Sequence, residues 1–481
     1  MACRWRVNSY KTANFFLLLI IVQIMMRSAE TIVAVATPPG EGGIGIIRLS
    51  GPLAESYLDQ LFRSSCPVSE RRSHHLYLGY LHDSAGVMID EILAVVMRTP
   101  HSYTREDVVE VHCHGGMLVI RRILDAFLEV GARLAGPGEF TQRAFLNGRM
   151  DLSQAEAVID LIRSRSESAG RVALAQLDGL VSRTVKEMTE YLSDLLSHVE
   201  SHIDFPEEDI DFAEISYMDD QAAKLYRQIT SFLEHFDMGR ILREGLSVLI
   251  LGKPNVGKSS LLNRLLGEAR AIVTDIPGTT RDTIEENLVL DGIPIRLIDT
   301  AGVRDTNDPV EAEGVSRARD KVSSADLILL VVDGSRPLDD EDYLAYDACR
   351  EGKVLLVRNK ADKPQTLLSE DFAGLPSVLL SCQSGDGFSH LKEQMLILLR
   401  GTSTPGDVAQ EIVFSDRRHR DALLRSKDAL DRFRSALSQG LSPEFFALEL
   451  REALDALGEI TGKTTSVDIL DRIFLRFCIG K

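Results

Sequence analysis

Gly252-Lys253-Pro254-Asn255-Val256-Gly257-Lys258-Ser259 is a complete phosphate-binding loop. The apolar run Leu246 to Leu251 before it reads as a buried parallel strand, and Ser260 to Leu266 after it reads as the start of a helix. The motif needs that setting. Glycines let backbone N–H groups curl around phosphates, and a helix N-terminus adds partial positive charge. Lys258 is expected to reach the outer phosphates, and the Ser259 hydroxyl to ligate magnesium. A nucleoside triphosphate is the expected ligand.

The base is indicated further along. Asn359-Lys360-Ala361-Asp362 follows the apolar run Val354 to Val357, at the carboxyl end of a strand, where ligands of open α/β sheets gather. A carboxylate there accepts from both the ring N–H and the exocyclic amine of guanine, and adenine offers no matching pair of donors. Ser381-Cys382-Gln383, after the strand-like Val378 to Leu380, is expected to back the base. It departs from the Ser-Ala-Lys or Ser-Ala-Arg usual in GTPases.

Two switch segments complete the set. Asp299-Thr300-Ala301-Gly302 ends a strand-like segment, Ile295 to Ile298, with Asp299 expected to hold magnesium through water and the Gly302 N–H to touch the terminal phosphate. Gly278-Thr279-Thr280-Arg281-Asp282 offers Thr280 as a second hydroxyl for the metal. Val303 follows Gly302 where Ras-like enzymes carry a water-orienting glutamine near that point. An aliphatic side chain cannot do that work. The Asn255 amide oxygen could ligate a monovalent cation beside the phosphates, and a potassium ion there would supply charge as an arginine finger does. Glu311 is a candidate to orient the water, against the alternative of an exposed loop glutamate.

A length of 481 residues predicts about three domains, of which the nucleotide module needs only Gly245 to Arg400 or so. A formal net charge of −18 argues against a surface that grips nucleic acid throughout, so any RNA contact is local and salt-sensitive. Six cysteines without a Cys-x-x-Cys pair fit a reducing compartment rather than a disulfide framework or zinc site. At the start, Arg4, Arg6 and Lys11 precede the apolar run Phe15 to Met26, which is short for a membrane span. It has signal-peptide character without a clean cleavage site, and Met25 or Met26 as the true start is the simpler account.

Ile32 to Thr37 and Ile44 to Leu49 read as strands around a Pro-Gly loop, and Gly138-Glu139-Phe140-Thr141 as a loop. From Leu152 to Val199 apolar residues recur at helical spacing with hardly a breaker, up to the charged break Asp204-Phe205-Pro206-Glu207-Glu208-Asp209. Ser442-Pro443-Glu444 reads as a capped helix start, with Leu450, Leu454 and Leu457 as the apolar stripe. Helical segments flanking an α/β module predict one helical domain interrupted by an insert. Cys478, in the closing Phe477-Cys478-Ile479-Gly480-Lys481, is either a small buried hydrophobe or a thiol presented to a site. His112-Cys113-His114 invites a metal, but alternating strand residues without a further ligand cluster read as structural.

The chain resembles the tRNA modification GTPase family MnmE (TrmE) from Glu30 to Lys481. The resemblance is carried by Thr37-Pro38-Pro39-Gly40, Ser102-Tyr103-Thr104 with Glu106 to Glu110, Pro137 to Thr141, Arg143 to Asn147, the GTPase motifs and the terminal Cys-Ile-Gly-Lys. It implies a multidomain α/β and α chain, in which a Ras-like P-loop GTPase domain is inserted in a helical domain and preceded by an α+β folate-binding domain. The expected boundaries are an extension at 1–28, a folate-binding and dimerisation domain at 29–147, helical parts at 148–243 and 404–481, and the GTPase domain at 244–403. It further implies a cytoplasmic homodimer without stable membrane association. The chain would work on tRNA with an FAD- and NADH-using partner (MnmG-like). Together they would add an aminomethyl or carboxymethylaminomethyl group to the wobble uridine from a 5-formyl- or methylene-tetrahydrofolate.

By motif position, the resemblance assigns Arg48, Glu110, Arg149 and Lys481 to folate, and Asn255, Thr274, Ile276 and Thr279 to potassium. Ser259 and Thr280 fall on magnesium, Glu311 on the catalytic acid, and Cys478 moves toward the modification chemistry. The implied nucleotide site runs through Asn255, Val256, Gly257, Lys258, Ser259 and Ser260, then Thr274, Asp275, Ile276, Pro277, Gly278, Thr279 and Thr280. It closes with Asp299 to Gly302, Asn359 to Asp362, and Ser381, Cys382 and Gln383. Arg149 stands where some members have lysine, and His101 and Arg105 depart from the usual asparagine and glycine of their loop. A switch GTPase that binds ribosomal RNA or a partner as an assembly checkpoint shares the GTPase motifs, but has no need of the N-terminal region or the terminal motif. A folate-dependent one-carbon transferase regulated by GTP is a third reading.

Overall fold

The computed structural model describes residues 30–67, 70–204, 212–268, 286–290, 292–298, 322, 325–366, 372, 374–400 and 414–481. The chain divides into two compact units, one of residues up to Glu156 with Thr465–Lys481, the other of Ala157–Thr464. The tail carrying Cys478 and Lys481 therefore groups with the N-terminal residues, where the sequence reading had put it with the second helical part.

The first unit is built on a mixed sheet. Its elements are β1 (Ile32–Val35), β2 (Gly42–Ser50), α1 (Ala54–Leu61), β3 (Phe62–Ser64), β4 (Leu76–His82), β5 (Met88–Met97), β6 (Val108–Gly115), α2 (Met117–Glu129), β7 (Arg133–Leu134) and α3 (Glu139–Leu146). Strand order is β3-β4-β5-β6-β2-β1-β7, with only the β1–β7 pair parallel. Alternation sends Ile47, Leu49, Val109 and Val111 to one face, where Leu58 of α1 and Ile123 and Phe127 of α2 bury them. Ile32 and Ala34 point to the other face, against Phe140 of α3.

The segment 138–141 is not a loop. Gly138 turns at φ 66° and α3 begins at the next residue. A side chain at Gly138 would meet the Phe474 carbonyl oxygen at 2.7 Å, because the terminal helix Val467–Phe474 packs there. Phe474 lies 6.4 Å from Phe145 and 5.6 Å from Phe477, ring centre to ring centre. Beyond it Ile479 bridges Pro137, and Gly480 at φ 96° passes Val35 so closely that a Cβ would sit 2.2 Å from its carbonyl oxygen. Only glycine fits there.

The second unit follows α4 (Leu152–Arg163) with α5 (Glu167–Leu177), α6 (Leu180–Asp204) and α7 (Phe212–Glu244). The expected helical stretch over 152–199 is helical, and it is divided into three helices. Ser166 Oγ accepts from the Ala169 N–H at 3.1 Å and starts α5, and Gly179 at φ 91° ends it. Next come β8 (Leu246–Leu251), α8 (Lys258–Glu268), β9 (Glu286–Leu290), β10 (Ile293–Ile298), β11 (Leu327–Asp333), α9 (Asp340–Cys349), β12 (Val354–Asn359), β13 (Ser377–Leu379) and α10 (Phe388–Arg400), then α11 (Arg417–Ser438) and α12 (Pro443–Thr461). The sheet order is β13-β12-β11-β8-β10-β9, parallel except for β9 against β10. It is a doubly wound P-loop sheet inserted between helical segments. At α12 the Ser442 hydroxyl bonds Glu444 instead of capping the backbone, while Pro443 holds the first turn.

Helices α6, α7, α11 and α12 bury Val185, Leu192, Leu225, Leu430, Phe433 and Leu450 in one core. The single helix α7, about 50 Å long at 1.5 Å per residue, belongs to two cores. Its Met218, Leu225 and Ile229 sit in the bundle, and its Met238, Ile241 and Leu242 sit beneath the sheet. In its last turn Arg243 pairs with Asp160 of α4 at 2.7 Å and with Asp416, the N-cap of α11, at 2.6 Å. Burial alone would raise the Asp416 carboxyl, but His419 and Arg243 outweigh it and hold it well below the usual carboxylate range.

Replacing Arg243 by leucine strands two buried carboxylates, so Arg243→Leu should lower stability by about 3–5 kcal/mol in urea unfolding. A depressed folded-state pKa gives stability that is full above the unfolded value of 3.8 and is lost as pH falls below it. The variant should therefore show a flatter acid limb than the wild type. A loss under 1 kcal/mol would show that the cluster does not hold these helices.

Candidate functional site

The phosphate loop leaves the carboxyl end of the central strand β8, between β10 and β11, and runs into α8. Its backbone is set by close contacts. A Cβ on Gly252 (φ 145°) would lie 2.3 Å from the Val331 carbonyl oxygen, and one on Gly257 (φ 106°) would lie 2.1 Å from Asn359 Nδ2. Asn255 also takes a positive φ, 63°. Lys258 Nζ donates to the Lys253 carbonyl at 2.8 Å, folded over the loop. Lys258 and Ser259 open α8, where the first-turn N–H groups lack helix acceptors.

Asn359 joins the loop to the edge formed by residues 359–362 and 381–383. Its side chain is 2% exposed, Nδ2 donates to the Val256 carbonyl at 2.8 Å, and Oδ1 accepts from the Cys382 N–H at 3.1 Å. Lys360, at φ 69°, donates to the Asn255 carbonyl at 3.2 Å and to Asp333 Oδ2 at 2.6 Å. Burial would raise the Asp333 carboxyl, but Lys360 and Ser335 outweigh it and hold it at about 2. Asp362 is exposed and accepts from the Ser381 hydroxyl at 2.5 Å, which holds its carboxyl below the usual value. Ser381 Oγ in turn accepts from the N–H groups of Gln383 and Ser384. Ala361 donates its N–H to the Leu380 carbonyl. Asn255, Val256, Gly257, Asn359, Lys360, Asp362, Ser381 and Cys382 thus form one connected edge, with Lys258, Ser259 and Ser260 at the head of α8.

Sequence reading missed Lys253. It is 7% exposed and pairs with Asp339 at 2.5 Å and Asp342 at 2.6 Å, the capping-box carboxylates of α9. The Asp339-x-x-Asp342 spacing is readable as a cap, but its pairing with the phosphate loop is not. Both switch segments, including Thr274, Asp275, Ile276, Pro277, Gly278, Thr279, Thr280, Asp299, Thr300, Ala301 and Gly302, lie outside the described residues, as does Glu311.

The first unit holds a second constellation. Arg48 on β2 donates Nε to Glu110 Oε1 on the neighbouring β6 at 2.7 Å, and its Nη1 to the Gly480 carbonyl at 3.4 Å. Its guanidinium stands 5.6 Å from the Tyr103 ring centre and 5.8 Å from that of Phe140. Lys481 follows, half-buried. Burial lowers its pKa, the Arg48 guanidinium adds to that, and Glu110 and Cys478 oppose it. Arg149 donates to the Tyr103 carbonyl at 2.9 Å and stacks over the Tyr103 ring at 4.6 Å. The four residues assigned to folate by resemblance therefore gather around Tyr103 and the docked tail, and Tyr103 itself was not singled out. Their chemistry fits a pterin with carboxylates: an acceptor carboxylate for ring N–H groups, an aromatic face, and three cations.

Cys478 is exposed, and its carbonyl accepts from the Gly138 N–H at 3.4 Å. His112, Cys113 and His114 diverge. His112 Nε2 lies 3.5 Å from Glu110, Cys113 Sγ donates to the Gly45 carbonyl, and His114 pairs with Asp90 at 2.7 Å. Among the described residues no cluster of three or more His, Cys, Asp or Glu could hold a metal, and no helix is long and apolar enough to cross a membrane.

Two family models match this chain: "MnmE helical domain" over residues 152–478 and "GTP-binding protein TrmE N-terminus" over residues 31–149. The chain is 56% identical over 456 residues to the tRNA modification GTPase MnmE of Syntrophotalea carbinolica, covering 95% of this chain and 100% of that protein. It is 49% identical over 459 residues to the protein of that name from Geobacter metallireducens, with 95% and 100% covered. With that of Alkaliphilus oremlandii it shares 44% identity over 460 residues, covering 94% and 99%.

Because a Cβ at Gly257 displaces Asn359, Gly257→Ala should break the Asn359–Val256 bond and weaken binding of a fluorescent guanine nucleotide at least tenfold, about 1.4 kcal/mol. Circular dichroism should stay near wild type, while the melting temperature falls by a few degrees, because alanine is strained at φ 106° and Asn359 loses a buried partner. Unchanged affinity would show that this contact does not shape the loop.

Proposed function

Because the chain belongs to the MnmE (TrmE) family of tRNA modification GTPases, we propose that it hydrolyses GTP in the course of modifying the wobble uridine of certain tRNAs. In this reading it works as a homodimer in the cytoplasm with an FAD- and NADH-using partner protein. The product carries an aminomethyl or carboxymethylaminomethyl group, and a tetrahydrofolate bound to the N-terminal domain supplies the one-carbon unit. The observation that carries it beyond a simple switch GTPase is the convergence of Arg48, Glu110 and the terminal Lys481 beside Tyr103. An assembly checkpoint has no use for that constellation.

At the nucleotide, the loop N–H groups and Lys258 hold the phosphates, and Asp362 selects guanine through two donors of the base. Ser259 and Thr280 would hold magnesium, which neutralises charge on the phosphates when bound. Asn255, with Thr274, Ile276 and Thr279, would hold potassium, whose charge stands in for an arginine finger. Glu311 orients the attacking water. At the N-terminal site Glu110 accepts from the pterin, while Arg48, Arg149 and Lys481 receive anionic groups. Lys481, with its lowered pKa, is suited to passing a proton, and the exposed Cys478 stands next to that site in the chain. With the GTPase domain at 244–403 between helical parts, α7, whose side chains belong to both cores, would carry changes at the nucleotide toward the bundle.

Bulk tRNA from cells lacking this gene should lose the wobble-uridine aminomethyl derivatives by mass spectrometry and regain them on complementation. If they persist while ribosomal subunits accumulate unassembled, the checkpoint reading replaces this one. Hydrolysis by the purified protein should be at least tenfold faster in potassium than in sodium, and Glu311→Ala should keep nucleotide affinity while turnover falls by about 10²–10⁴. Equal rates in both salts would remove the cation, and unchanged turnover would remove Glu311.

A further inference from the structure

Arg105 takes a left-handed backbone conformation, φ 60°, which L residues with long side chains seldom adopt. Such an outlier points to a use for the side chain. Here the side chain is held rather than loose. Nη1 donates to the Asn147 carbonyl at 3.0 Å, the end of α3, and lies 3.5 Å from where a Cβ on Gly148 would be. The next residue along, Arg149, is fixed in the same way, by the Tyr103 carbonyl at 2.9 Å and the Tyr103 ring. Two short segments, 103–105 and 147–149, are therefore cross-tied by two guanidinium groups, each bound to a carbonyl of the other segment. Both are exposed, and neither has a carboxylate partner among the described residues.

Several arginines of the first unit are neutralised, Arg71 by Asp59, Arg98 by Glu55, Arg133 and Arg143 by Glu139, while Arg63 on β3 is, like this pair, tethered to backbone carbonyls. What sets Arg105 and Arg149 apart is their place beside Tyr103. On a chain of net charge −18, an uncompensated, backbone-tethered pair of cations marks a place for an anion brought from outside. The pair sits beside the Arg48, Glu110 and Lys481 constellation, since the Tyr103 ring contacts both Arg149 at 4.6 Å and Arg48 at 5.6 Å. Guanidinium groups take carboxylates two-pronged.

We propose that Arg105 and Arg149 form a polycarboxylate subsite that extends the folate site and selects folates carrying several γ-linked glutamates over the monoglutamate. This rests on the folate reading above. Arg149 takes the carboxylate of the first glutamate, and Arg105 takes one from the residues added to it. Arg105 thus determines specificity and takes no part in the reacting end of the ligand. The preference is electrostatic at an exposed site and falls as salt rises.

The test is calorimetric titration of the full-length protein with 5-formyltetrahydrofolate bearing one or three glutamates, at 50 and 500 mM salt. The wild type should bind the triglutamate roughly three- to tenfold more tightly at low salt, the range of one or two exposed ion pairs, and lose most of that at high salt. Arg105→Gly relieves the left-handed strain and should fold at least as well. It should bind the triglutamate only as tightly as the monoglutamate. Arg149→Ala should weaken both. Equal binding of both ligands by the wild type, or a preference that survives Arg105→Gly, would overturn the subsite and leave the folate reading standing. Failure of the wild type to bind either ligand would overturn both. Loss of tRNA affinity in Arg105→Gly with an unchanged glutamate preference would assign the pair to phosphates of RNA instead.

Discussion

A module inserted into a helical domain must be entered and left by the chain at points that the host can hold together. In this protein one guanidinium does that. Arg243 closes α7, one turn before β8 begins the nucleotide-binding sheet, and its two carboxylates are Asp160 of α4 and Asp416 at the start of α11, where the chain returns. The ions are buried, so each needs the others: removing one partner leaves an uncompensated charge in a medium that solvates it poorly. The Gln176–Ser415 hydrogen bond at 3.1 Å lies beside it. Both doors of the insertion are thereby fixed to the same point.

From that point α7 runs without interruption through the bundle. A helix shared by two cores is a stiff connector, because side chains interlock with neighbours at both ends and cannot slide independently. The nucleotide loop begins seven residues after Gly245, and its glycines leave no slack, with Gly252 against Val331 and Gly257 against Asn359. Asn359 then passes the constraint to the base edge through Val256 and Cys382. The phosphate loop and the strand edge at Asn359 are one hydrogen-bonded object, and it stands directly on the connector.

In the other unit the decisive contacts are made by the last residues of the chain. Gly480 fits against Val35 because it lacks a side chain, and Gly138 yields to Phe474 for the same reason. The tail thus delivers Lys481 to a charge cluster whose other members, Arg48 and Glu110, face each other across β2 and β6 in register. Half-burial and the neighbouring guanidinium lower the lysine pKa together. An amine placed this way gives up its proton more readily than one in water.

Strands were legible in the sequence where they are buried on both faces, as in β8 and β12, since an apolar run between turn signals admits few other readings. Motifs that bind through backbone were legible too, because glycine is required by geometry that the nearby residues announce. The breaks at Ser164–Ser166 and Gly179 were hidden by an apolar stripe that continues across them, and α3 was hidden behind a glycine that signals a turn whether a loop or a helix follows. The sequence by itself determined that a nucleotide loop sits on a parallel sheet, that Asn359 to Asp362 ends a strand of that sheet, and that helices flank it, because those properties depend on local spacing and on the chemistry of single residues. Only the tertiary structure decided that Lys253 pairs with the cap of α9, that Arg243 joins three helices, and that Lys481 meets Arg48. Those partners are 83 to 433 positions apart, and no periodicity or motif encodes which distant charge a folded chain will bring within reach.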